Sequence, residues 1–132
     1  IIIKVAAVGD FKPVSVQAHK IKKSETQGAV TLELTKNKDI LKAIGLKKRK
    51  NQYLVGFAAE TRDLETYAVG KMEKKQLDMI AANIVGKSGS GFKADTNKVK
   101  LFTRDGQVTD LPLMTKEKVA HAILDAVVQA VF

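Results

Sequence analysis

Apolar and polar positions fall into blocks along this chain, and the period changes from block to block. Residues 53–59 (YLVGFAA) are an unbroken apolar run of strand length. Such a run is the profile of a strand buried on both faces of a parallel sheet. Glu60 and Thr61 break it, and then Leu64, Ala68 and Met72 recur every four residues in a charged segment. That interval predicts a helix with one buried stripe. Tyr67, Lys71 and Lys75 repeat on a neighbouring line, and a second apolar run (79–82, MIAA) follows. Strand, helix, strand is a βαβ unit, whose ligands lie beyond the carboxyl ends of the strands. Residues 57–61 therefore fall at the rim of a candidate site, with Asn83 at the end of the next strand.

The flanking blocks extend this pattern. Residues 1–8 are apolar except for Lys4 and predict a buried strand, which Gly9, Asp10, Phe11, Lys12 and Pro13 close with turn chemistry. A chain that opens in mid-strand points to sheet neighbours from upstream residues or another chain. Residues 14–28 have weak periodicity and predict a loop or flap carrying the Lys20, Ile21, Lys22, Lys23 cluster. Residues 29–35 (AVTLELT) predict a strand. Asn37 is placed to cap a helix, with Asp39 in its first turn and Ile40, Leu41 and Ile44 on its buried face. Gly45 weakens that helix, and the basic run 47–50 closes it with cations at the negative end of its dipole.

Beyond Asn83, the Gly- and Ser-rich stretch 86–91 reads as a flexible linker without the residue order of a Walker loop. Residues 97–103 alternate as a strand, Asp105-Gly106 signals a hairpin, and 108–113 return as its second strand. Thr115 caps the clearest helix. Val119, Ile123, Val127 and Val131 form one apolar line on it, with Ala120, Leu124 and Val128 beside them. The fold class is α/β: three layers around a largely parallel sheet related to dinucleotide-binding folds, ending in a β-hairpin and a helix.

Length and charge narrow the function. The 132 residues suffice for one domain with a real core. The longest apolar runs are too short for a membrane-spanning helix, so no membrane partner is expected. With no cysteine there is no disulfide, thiolate metal site or cysteine nucleophile, in keeping with a reducing cytoplasm. Two histidines are too few for an ordinary zinc site, and His121 reads as a surface or boundary residue. A net charge of +9 suits an anionic partner, or simply keeps a small protein soluble. No nucleophile triad, HExxH, EF-hand loop or GxGxxG stands out. The remaining chemistry rests on lysines, one or two carboxylates and backbone amides, a set suited to phosphate. Lys71 and Lys75 are same-face neighbours whose repulsion costs a few tenths of a kcal/mol, roughly, unless an anion lies between them. Asp10, just past a strand, is either a ligand-binding carboxylate or a cap of its turn.

Several segments, in order, carry a resemblance. They are AAVGDF (6–11), KIKK (20–23), KNKDI (36–40), GFAAET (56–61), YAVGKMEKKQLDMIAAN (67–83), GFKADTNKV (91–99) and LPLMTKEKVAHAILD (111–125). Together they resemble the carboxyl-terminal half of the phosphopantothenate–cysteine ligase domain of coenzyme A biosynthesis. The resemblance covers nearly the whole chain. It implies an enzyme that uses CTP and Mg2+ to activate the carboxylate of 4′-phosphopantothenate as an acyl-cytidylate. Cysteine's amine then forms the amide.

By matching position, the resemblance implies that Ala6 approaches the nucleotide and that Asp10 is its binding aspartate. Lys20 is the candidate catalytic residue, a nucleotide-contacting lysine on the flap. Lys38, Asp39, Ile40 and Leu41 form the contacting helix start, Phe57 lies near the base, and Lys71 and Lys75 hold phosphates. Metal ligands are left unassigned. Lys38 stands where relatives often have proline, and Gly9 where many have alanine. The amino-terminal half of the domain, with a glycine-rich loop and an asparagine acting on the acyl-cytidylate, has no counterpart here. Residues 1–132 thus read as a single domain fragment. The flavin-dependent decarboxylase fused to some relatives is likewise unmatched, and no flavin is expected. The resemblance also implies a cytoplasmic homodimer, with the hairpin and neighbouring loops reaching the partner's site. The alternatives are a basic nucleic-acid-binding module and an inactive structural fragment. With two tyrosines, five phenylalanines and no tryptophan, the chain offers few stacking platforms for nucleic acid.

Overall fold

The computed structural model describes residues 1–20, 30–60, 62–84 and 94–132. Its elements in order are β1 (Ile2–Lys4), β2 (Phe11–Pro13), β3 (Leu34–Lys36), α1 (Ile40–Lys47), β4 (Leu54–Glu60), α2 (Leu64–Lys75) and β5 (Met79–Ile84). Then come β6 (Thr96–Asn97), β7 (Val99–Thr103), β8 (Val108–Asp110), β9 (Met114–Thr115) and α3 (Lys116–Val131). They divide into two compact units, a larger one of Ile1–Val5 with Leu41–Phe132 and a smaller one of Ala6–Ile40.

The larger unit is built on a five-stranded sheet of order β1-β4-β5-β7-β8. The β1–β4 and β4–β5 pairs are parallel, whereas β5–β7 and β7–β8 are antiparallel. The unbroken apolar run at β4 follows from this position, because the strand is covered on both faces. Leu54 and Ala58 face one way, joining Leu41 of α1, Ala68 and Met72 of α2, and Ile80 and Phe102 of the sheet. Val55 faces the other way, with Met79, Ala81, Val99 and Leu101, under Val119, Ile123 and Val127 of α3. Helices thus cover both faces and make three layers. Each fully buried large side chain, such as Leu54 or Phe102, contributes about 1.5–3 kcal/mol.

Glycine sets how closely two of these layers approach. A Cβ on Gly56 would stand 2.6 Å from Leu77 Cδ1 and 3.0 Å from Leu41 Cδ2. A Cβ on Gly45 would stand 1.8 Å from the carbonyl oxygen of Lys75. Gly45 is therefore where α1 meets the end of α2, not merely a weak point in a helix. At the opposite end from the candidate rim, Asp78 organises the amino ends of β4 and β5. Its Oδ2 accepts from the Leu54 amide at 2.8 Å and from Lys48 Nζ, and Arg104 stands 3.8 Å from Oδ1. Lys48, assigned by sequence to the helix dipole alone, thus has a specific carboxylate partner. Burial, then the Asp78 and Asp105 carboxylates, push the nearby Tyr53 phenol above its ordinary pKa.

Several boundaries differ from expectation. β1 is a three-residue edge strand, half-buried rather than buried, and residues 5–8 are exposed outside it. Among the described residues its one neighbour is β4. The expected turn at 9–13 instead supplies β2, which pairs antiparallel with β3 as a two-stranded sheet in the smaller unit. Pro13 is tolerated at the end of so small an edge pair because no ladder amide is required of it. Within the described part of the strand expected over 29–35, only Leu34 and Thr35 are in a strand, as part of β3, and the returning strand 108–113 is reduced to β8, whose three residues are all exposed.

Asn37 does not cap α1, which begins at Ile40, directly after Asp39. Ile40 is exposed, while Leu41 is buried and Ile44 is packed against the core. On α3 the line Val119, Ile123 and Val127 is buried, but Leu124, Val128 and Val131 face outward. A helix laid on one sheet buries a single stripe. The Thr115 cap holds, its hydroxyl accepting from the Lys118 amide at 3.3 Å. Residues 21–28 of the expected flap, including Lys22 and Lys23, the first residue of the expected strand (29) and the Gly/Ser linker lie outside the described residues.

Candidate functional site

The rim of the larger unit is the carboxyl end of β4. Alternation along a strand sends Phe57 and Glu60 to opposite faces. Phe57 is half-buried on the α3 side with Val55, whereas Glu60 shares the face of Ala58 under α2. Glu60 is the last residue of β4 and pairs in register with Ile84 of β5. Its Oε1 accepts from Lys71 Nζ at 2.6 Å. Its side chain is 14% exposed, against 44% for Lys71.

Lys71 is placed by the packing of α2. Ala68 and Met72 on the helix are buried, which fixes the backbone between them and turns the line of Tyr67, Lys71 and Lys75 along the edge of the covered face. α2 runs back from the rim, so Lys75 lies about 6 Å farther along the helix axis than Lys71. Both side chains start out tilted toward the helix amino terminus, and hence toward the rim. Lys75 is half-buried.

The smaller unit holds Ala6, Asp10, Lys20, Lys38, Asp39 and Ile40, all exposed. Asn37 ties part of this set together. Its Nδ2 donates to the Gly9 carbonyl at 2.7 Å and to that of Phe11 at 3.3 Å, and its own amide donates to the Asp10 carbonyl at 2.8 Å. The backbone on either side of Asp10 is thereby held beside the 37–40 segment. Leu41 lies in the larger unit and is only 7% exposed. Its side chain is committed to the core, leaving its amide as the group a ligand could reach. Amides in the first turn of a helix lack helical acceptors and point toward anions.

The proposed set is thus distributed as Ala6, Asp10, Lys20, Lys38, Asp39 and Ile40 in one unit, and Leu41, Phe57, Lys71 and Lys75 in the other. Within the larger unit, Phe57 stands on the opposite sheet face from Lys71. Sequence reasoning missed Glu60 and Asn37, the first treated as a strand break and the second as a helix cap. The signal for Glu60 was a carboxylate at a strand end with a lysine on the returning helix. Among the described residues no group of three or more His, Asp or Glu could hold a metal ion, and no helix is long and apolar enough to cross a membrane.

The model of one family, the DNA/pantothenate metabolism flavoprotein C-terminal domain, matches residues 1–131. The chain is 51% identical over 127 residues to the coenzyme A biosynthesis bifunctional protein CoaBC of Bacillus subtilis, covering 96% of this chain and 30% of that protein. It is 43% identical over 129 residues to CoaBC of Escherichia coli K12, covering 97% and 32%. The chain thus spans about a third of the length of these relatives. Among solved structures, a crystal structure of the C-terminal domain of CoaBC superposes with a TM-score of 0.71 at 40% identity, covering 95% of this chain and 51% of that one.

Proposed function

Because the chain belongs to the DNA/pantothenate metabolism flavoprotein C-terminal domain family, we propose that it is the nucleotide-binding part of a phosphopantothenate–cysteine ligase. The observation that carries this reading is the likeness to CoaBC proteins along nearly all of its length. In the proposed reaction a carboxylate oxygen of 4′-phosphopantothenate attacks the α-phosphorus of CTP. An O–P bond forms, the bond to the bridging oxygen breaks, and pyrophosphate leaves. The amine of cysteine then attacks the acyl carbon and CMP departs.

The residues present suit the nucleotide's side of this chemistry. Negative charge accumulates on phosphate oxygens in the first step, and ammonium groups fixed beforehand lower its barrier more than they stabilise the ground state. Lys71 at the rim, with Lys75 one turn behind, supplies that charge, and Lys20 adds to it from the flap. Asp10, Ala6 and the amides of residues 38–41 bind the nucleotide, and Phe57 offers an aromatic face toward the base. Magnesium is taken as part of the substrate, riding on the triphosphate, since Mg2+ is commonly held by phosphates with one or two carboxylates. The proposed setting is a cytoplasmic homodimer.

Calorimetric titration with CTP and magnesium, beside ATP, tests the reading. CTP is expected to bind in preference to ATP. Lys71→Ala should weaken CTP binding and cost about 2–4 kcal/mol in the barrier of the assembled enzyme, in a protein that stays folded but melts at a lower temperature because Glu60 loses its cation. Wild-type affinity in that variant would overturn the role of Lys71. Strongly salt-dependent binding of DNA or RNA without CTP affinity would favour the nucleic-acid alternative.

A further inference from the structure

We propose that Glu60 is a positioning residue that pins the Lys71 ammonium at the carboxyl end of β4, so that a triphosphate meets a lysine already oriented. The proposal rests on the nucleotide-binding reading above and adds a residue to it. Its basis is the asymmetry of the pair: Glu60 is 14% exposed and Lys71 44% exposed, with Nζ and Oε1 2.6 Å apart. A carboxylate so far withdrawn from water needs a cation beside it. The lysine keeps an open side.

An ammonium has three donors, and one suffices for Glu60. The others remain available to a phosphate oxygen, so the pair need not break when the anion arrives. Ala68 and Met72 already fix the helix backbone around Lys71. The four-carbon stem is the part left to order, and Glu60 orders it. Fixing a long side chain before binding removes that cost from the binding step. The carboxylate also repels phosphate. It is the more enclosed partner, so an arriving anion meets the more exposed ammonium first.

The test is CTP titration, with magnesium, of the wild type, Glu60→Ala, Glu60→Gln, Lys71→Ala and the double variant Glu60→Ala/Lys71→Ala. Glu60→Ala should weaken CTP binding about fivefold without lowering the melting temperature. Glu60→Gln keeps an acceptor in place and should recover most of that loss. In the Lys71→Ala background, Glu60→Ala should cause no further loss, because its support of binding acts through the lysine and only its repulsion of phosphate remains to be removed. Reductive methylation of Lys71, followed by mass spectrometry, should be faster in Glu60→Ala than in the wild type. If Lys71→Ala weakens binding and Glu60→Ala does not, pinning is overturned and the nucleotide reading stands. Equal losses from Glu60→Ala with and without Lys71 also overturn it. Wild-type affinity in Lys71→Ala overturns pinning and the role of Lys71, whereas absence of CTP binding by the wild type overturns the nucleotide reading.

Discussion

Gly45 of α1 lies against the backbone carbonyl of Lys75 at the end of α2, where a Cβ would come within 1.8 Å of the oxygen. Neither a rotamer change nor a flexible tip can relieve such a contact, since both groups are backbone. Gly45→Ala must push the two helices apart. The expected loss is about 2–3 kcal/mol by urea denaturation, despite alanine's better helix propensity. A gain in stability would mean that α1 and α2 do not approach this closely.

Asp78 joins β4, β5 and the end of α1 through the Leu54 amide and Lys48, with Arg104 nearby. Lys48 and Asp78 are 11% and 17% exposed. Removing the carboxylate strands a largely enclosed ammonium and a backbone amide. Asp78→Ala should therefore destabilise the protein by about 3 kcal/mol, measured by denaturant unfolding. Lys48→Met, which removes the charge and keeps the stem, should cost less.

Gln76 closes α2 with φ 54°, in the left-handed region. Its amide donates to Glu73 and that of Leu77 to Met72, which satisfies two carbonyls of the last turn. Glycine adopts this conformation without a Cβ penalty, so Gln76→Gly should raise stability by about 1 kcal/mol. A thermal melt shows the sign directly.

The hairpin turn has its own pH signature. The Thr103 hydroxyl, followed by the Gln107 amide, donates to Asp105 and holds its carboxyl below the ordinary value. A depressed pKa stabilises the fold above the unfolded value near 3.9, and that contribution is lost as pH falls through the folded pKa. Carbon-detected NMR should place the Asp105 midpoint below that of an ordinary aspartate. Thr103→Val should bring it back up. An unmoved midpoint in that variant would assign the effect to the amide alone.

What could be read in advance depended on whether local pattern and tertiary partner agreed. β4, α2 and β5 were legible because the apolar run and the four-residue stripe correspond directly to burial on two faces and on one. Asp105-Gly106 and Thr115 were legible because turn and cap chemistry are local. Asn37 was not: its side chain finds carbonyls 28 and 26 positions away, and a cap was the only use visible from its neighbours. Gly45 and Glu60 share that reason, each being defined by a partner on a later helix. The outward line on α3 misled in the opposite way, since apolar spacing does not say which stripe the sheet will cover. At the candidate site, the same-face placement of Lys71 and Lys75 followed from spacing, while the pairing of Lys71 with a carboxylate did not.

Strand β5 has a parallel neighbour on one side and an antiparallel neighbour on the other. On the antiparallel side, β7 and β8 are joined through a tight turn, with the Gly106 amide donating to Thr103. On the parallel side, Ile2 meets Leu54 only after the intervening chain has been traversed. Closing longer loops carries a greater entropic penalty and slows pairing. Assembly is therefore expected to start near the carboxyl terminus and finish at β1, the reverse of the order in which a ribosome delivers the strands. Pulsed amide exchange during refolding should find Leu101 protected before Ile2, whose amide donates to the Tyr53 carbonyl.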